Sequence, residues 1–119
     1  MLCRAHAATG QGLELGVAAC NADLERAISS PGSYGWRGLI ALHRDDPASA
    51  LEDYHRELAR DVEIMGEVYD DPAHLYGQGL ALTALGQTEA GARDMEEARR
   101  KFRLVDVPFR IYEERRSRP

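Results

Sequence analysis

The residues of this chain whose types could do chemistry are few and scattered. Cys3 and His6 fall on one helix face and Cys20 follows in the next segment, a thiolate and imidazole set of the kind that can hold zinc. Structural zinc takes four ligands in tight paired spacing, and no Cys-x-x-Cys is present. The same residues lack an acid to orient a Cys–His nucleophile. His43-Arg44-Asp45-Asp46 opens like a phosphoryl-transfer loop. The chain has no glycine-rich phosphate loop and no asparagine at the matching offset, so His43 and Arg44 are expected as cations closing a helix. The adjacent carboxylates Asp45/Asp46, Asp70/Asp71 and Glu96/Glu97 point about 100° apart on a helix and make no acid–base pair. His55 and His74 stand alone on helices, where surface or capping roles are expected. No catalytic, metal or cofactor set assembles, and a non-enzymatic protein is expected.

Composition narrows the classes further. The 119 residues suit one domain, and 44% apolar with 29% charged residues is the balance of a globular protein. A net charge of −5 argues against a nucleic-acid binder, and the basic tail "RIYEERRSRP" is diluted by glutamates. No apolar run is long enough to span a membrane, and the N-terminal residues do not read as a signal peptide. Cys3 and Cys20 are therefore expected as reduced thiols in a cytoplasmic protein. Fourteen arginines beside the single Lys101 suggest a GC-rich bacterial genome.

What must position any site is a set of helices. Apolar residues recur every three or four positions, as in Leu51, Tyr54, Leu58, Val62 and Met65. Pro31-Gly32 breaks one helix; Asp46-Pro47 and Asp71-Pro72 start two others as N-cap and first helical residue. Gly86 stands where a helix ends, and Asp106 precedes Pro108 before the last segment. The spacing predicts helices near 1–9, 12–29, 33–44, 47–67, 72–85, 88–104 and 107–116, with connections short enough to make neighbours antiparallel.

One pattern is written twice. With Gly38 aligned on Gly79, Tyr34 falls on Leu75, Ala41 on Leu82, Ala50 on Gly91 and Tyr54 on Met95. Small residues on facing helices let the backbones approach, and large ones three or four positions away fill the adjoining gap. Gly38 is thus expected against Ala50, and Gly79 against Gly91. This spacing resembles the tetratricopeptide repeat, a helix pair with small and large residues at fixed offsets. Departures are Arg37 and Gln78 at the usual leucine position, the missing terminal proline, and a unit spacing of 41 residues (Gly38 to Gly79) where about 34 is usual. A weaker first unit places Gly10 where Asp45 and Gly86 sit. The longer units also resemble helical C-terminal regions of bacterial transcription activators.

The resemblance implies an all-α, antiparallel helix-pair solenoid of about three pairs (about 1–29, 33–67 and 72–104) closed by a C-terminal capping helix at about 107–116. It further implies a protein–protein interaction module whose inner helices line a concave groove. Trp36, Leu39 and His43 from one unit and Tyr76, Leu80 and Thr83 from the next would face a peptide or helix there, with Gly35, Leu42 and Gly77 beside them. The Lys, Asn and Arg that chaperone-binding relatives use to clamp a carboxylate are missing. Against this stands the reading that Trp36, Leu39 and Leu80 are core. The alternatives to a peptide scaffold are a small-molecule sensor of a regulator and a self-associating module, a homodimer.

Overall fold

The computed structural model describes residues 2–26, 32–65 and 71–118, with side chains up to residue 63 in the second stretch. Among the described residues every regular element is a helix. The elements are α1 (Leu2–Thr9), α2 (Leu13–Glu25), α3 (Ser33–His43), α4 (Pro47–Met65), α5 (Pro72–Ala84), α6 (Thr88–Lys101), a 3-10 turn (Val107–Phe109) and α7 (Arg110–Ser117). Among the described residues no helix is long and apolar enough to cross a membrane.

The starts and stops follow local chemistry. Asp46 Oδ1 accepts from the Ser49 N–H at 3.2 Å and Asp71 Oδ1 from the Ala73 N–H at 2.9 Å, each taking a backbone donor that the first helical turn leaves unpaired. Asp106 makes no such side-chain bond; its carbonyl accepts from the Phe109 N–H at 2.9 Å, so the last segment opens as a 3-10 turn. The expected helix ends at 27–29 and 66–67 and the break at Pro31 lie outside the described residues.

The repeat in the sequence is a repeat in space. Gly10, Asp45 and Gly86, each following the first helix of a pair, have φ of +69°, +57° and +88°. The turns after α3 and α5 share their hydrogen bonds: Asp46 N–H to Ala41 carbonyl and Gln87 N–H to Leu82 carbonyl, both 2.9 Å. Even the residues that depart from the repeat pattern correspond. Arg37 grips Asp53 with Nε at 2.9 Å and Nη2 at 2.7 Å, and the aligned Gln78 donates to Asp94 at 2.9 Å. A leucine there would bury hydrocarbon between the paired helices; this chain uses a polar clasp instead.

Close approach is visible at the glycines. A Cβ added to Gly79 would lie 2.7 Å from the Gly91 carbonyl oxygen, so α5 and α6 touch backbone to backbone. At Gly38 the nearest atoms to the missing side chain belong to Tyr54, at 2.9 Å, one turn along α4 from Ala50. The Tyr54 ring also presses on the backbone of Gly77, so one aromatic fills a slot cut by two glycines on α3 and α5. Ala50 is fully buried nearby.

Cys3 and Cys20 are joined by a disulfide between α1 and α2, which corrects the expectation of reduced thiols. The sulfurs are spent on each other, so they form no metal site. Joining residues 17 apart contributes on the order of 3 kcal/mol by restricting the unfolded chain. One apolar cluster runs from Cys3 and Ala7 through Leu39, Ile40, Leu42, Tyr54 and Tyr76 to Val105, Phe109 and Tyr112.

Candidate functional site

α3 and α5 carry the residues expected to line a groove, and the structure divides them. Leu39, His43, Tyr76 and Leu80 are buried, as are Gly35, Leu42 and Gly77. These are interior side chains, which favours the core reading for Leu39 and Leu80. Trp36 and Thr83 are half-buried but do not meet: the Arg4 guanidinium of α1 lies 5.1 Å from the Trp36 ring, whereas Thr83 borders α6 and α7. Trp36 therefore borders α1, as His43 also does through the Ala7 carbonyl.

The face that α3 and α5 share is covered by the chain's own C-terminal segment. Phe109 packs on Tyr76 with ring centroids 5.2 Å apart, and Tyr112 sets its edge on His43 at 5.8 Å. Around this apolar pair the charges are matched. The Tyr76 hydroxyl donates to Glu113 at 2.7 Å and accepts from Arg99 at 3.0 Å. Burial and then the Glu113 bond raise the Tyr76 pKa above its ordinary value. Arg115 reaches back to the His43 carbonyl at 3.2 Å, tying α7 to the C-terminal end of α3. A cavity of about 270 Å³ remains beside Leu80, Thr83, Met95, Tyr112 and Arg116. The helix expected as a C-terminal cap lies across α5 and α3. Ile111 on its outside is exposed, together with Phe102, Leu104 and Val107 in the segment before it.

His43 is the pivot of this arrangement and not the helix-end cation expected of it. Its Nε2 lies 2.8 Å from the Ala7 carbonyl and its Nδ1 3.1 Å from Arg115 Nη1. The carbonyl only accepts and the guanidinium only donates, so Nε2 carries the proton and Nδ1 the lone pair. A neutral ring is required, and burial accordingly lowers the His43 pKa; the Ala7 bond partly offsets this, and Arg115 lowers it further. The ring rests on the backbone of Gly10, where a Cβ would stand 2.9 Å from it. One imidazole thus joins α1, α3 and α7.

A second polar cluster lies where α4 passes α5. Glu57 and Asp61, one turn apart on α4, and His74 on α5 each bring one ligand-type atom within 4.8 Å of the others. Glu57 and His74 are buried, and His74 fits only because Gly35 opposite has no side chain. The expectation of a surface or capping role for His74 fails here, while His55 is exposed as expected. Sequence reasoning passed over this group, although Glu-x3-Asp on one helix and Asp71-x2-His74 on the next are both same-face spacings. A cleft of about 440 Å³ between α2, α3 and α4 is lined by Arg37, Arg44, Arg56, Asp46, Glu52 and Asp53. Its charges largely satisfy each other through the Arg37–Asp53 and Arg56–Glu52 pairs.

Compared with family models, curated proteins and solved structures, the chain finds no match.

Proposed function

We propose that this protein is a non-enzymatic interaction scaffold of tetratricopeptide type, whose α3–α5 face accepts a short amphipathic helix. The observation that carries the reading is the C-terminal segment itself. It occupies the face with two aromatic anchors, Phe109 and Tyr112, and two polar contacts, from Glu113 to Tyr76 and from Arg115 to His43. A rigid face with apolar pockets and fixed polar partners binds such a helix with little ordering cost. A partner helix of the same chemistry would displace α7, and the tether would set the affinity it must exceed, since a short flexible link gives an effective concentration of order millimolar. The placement in a bacterial regulator belongs to the same reading, on the strength of the sequence resemblance alone, whereas the Cys3–Cys20 disulfide removes the thiol argument for a cytoplasmic location.

The test is a trans experiment on the full chain. The double variant Phe109→Ala/Tyr112→Ala releases its own helix, and a labelled peptide of residues 105–118 should then bind it. Fluorescence anisotropy should show wild type binding roughly a hundredfold more weakly, because its face is filled. Equal or absent binding to both proteins rejects the reading. A second reading, self-association, is favoured by the exposed Phe102, Leu104, Val107 and Ile111 within ten residues. Sedimentation at two concentrations decides it, with Ile111→Glu abolishing any dimer.

A further inference from the structure

We propose that Glu57, Asp61 and His74 form a binding site for a divalent transition-metal ion that links α4 to α5. The argument begins with ligand types. One imidazole and two carboxylates are a nitrogen–oxygen set that suits zinc and its first-row neighbours, with water completing the shell. The atoms offered lie within 4.8 Å of one another. Ligands of a single tetrahedral ion stand about 3.3 Å apart, so side-chain rotations of about an ångström close the shell.

Two independent features separate this group from an ordinary acidic surface. The first is that Asp61 Oδ2 is shielded from solvent and, apart from the Glu57 carboxyl beside it, has no hydrogen-bonding group among the described residues. A buried carboxylate oxygen without a partner is unfavourable, and it points to a group that fills the gap. The second is the buried imidazole. His74 is seated against the Gly35 backbone, and Asp71 Oδ2 stands 3.7 Å from its Nε2, the place of a carboxylate that orients a ligating histidine. Asp71 is itself fixed as the N-cap of α5. Glu57 is fixed from the other side, its Oε1 accepting the Gly35 N–H at 3.2 Å.

Charge points the same way. Glu57, Asp61 and Asp71 crowd together, and among the described residues no Arg or Lys makes an ion pair with Glu57 or Asp61. Arg60, which lies over the Tyr34 ring, also acts on Asp61 through its charge but forms no ion pair with it. A dication held between these carboxylates relieves their mutual repulsion. Its ligands come from the second and third helix pairs, so the ion fixes their junction. This inference is independent of what the α3–α5 face binds.

The test uses tag-free full-length protein freed of metal by chelation, titrated calorimetrically with zinc chloride and followed by thermal melting. One equivalent of zinc should bind and raise Tm by several degrees at saturation. Asp61→Asn and His74→Gln should each weaken binding at least ~tenfold, and His55→Gln should not. Asp61→Asn is isosteric and at a half-buried position, so it keeps the test decisive if His74→Gln unfolds. No saturable binding, an unchanged affinity in Asp61→Asn, or an equal response to calcium overturns the proposal.

Discussion

Gly79→Ala puts the helix-pair geometry to a direct trial, because two effects of known size oppose each other there. Gly79 sits within α5 with ordinary helical backbone, so alanine should stabilise the helix by about 1 kcal/mol. The new methyl would meet the Gly91 carbonyl oxygen at 2.7 Å, Met95 Cγ at 2.7 Å and the Met95 backbone nitrogen at 3.1 Å. Two of these are backbone atoms of α6 and cannot rotate aside. The helices must part by roughly half an ångström or more, and overpacking of this kind costs about 3 kcal/mol at its upper range. The net loss is about 2 kcal/mol, or roughly 8 °C in Tm for a chain of this size. Urea unfolding followed by circular dichroism at 222 nm measures it. Gly86→Ala is the control: φ is +88° and nothing lies within 4 Å, so only the left-handed backbone is penalised, by about 1 kcal/mol. The double variant Gly79→Ala/Gly91→Ala should lose less than the sum, because helices parted once accommodate the second methyl. A Gly79→Ala protein more stable than wild type would show that propensity acts alone and that the two backbones do not touch.

Two further outcomes follow from buried polar groups. The folded state lowers the His43 pKa, so on acidification through about 6.5 the unfolded chain takes up a proton that the folded ring refuses. Stability is thus fully present above that pH and falls below it; the groups facing the ring are Arg115, Tyr112 and the Ala7 carbonyl. Urea midpoints at pH 7.5 and 5.5 should diverge more in wild type than in His43→Gln, and parallel losses would refute the assignment. Tyr54→Phe should stabilise the fold by about 1 kcal/mol, since the buried Tyr54 hydroxyl has no partner among the described residues. A destabilised Tyr54→Phe would reveal a bond that the geometry does not contain.

Much of this was legible in the linear chain because it depends on neighbours in sequence. Asp-Pro starts, left-handed glycine stops and apolar spacing are decided within a few residues, so the helices, the duplicated unit and the Gly79–Gly91 contact could all be read from it. Gly10, Asp45 and Gly86, which fall together when the units are aligned, share a positive φ. Residue types alone could not say which apolar side chains face a partner. Trp36, Leu39 and Leu80 read equally well as groove or core, and only the packing of whole helices buried Leu39 and Leu80 and left Trp36 half-buried. Nor could spacing pair Cys3 with Cys20, neutralise His43 between a carbonyl and a guanidinium, or bring His74 to Glu57 and Asp61 across two helices. Those facts depend on distances between residues 13 to 72 positions apart, set by how whole helices pack. Local backbone chemistry therefore determined the elements, and long-range packing alone decided which side chains were left to act.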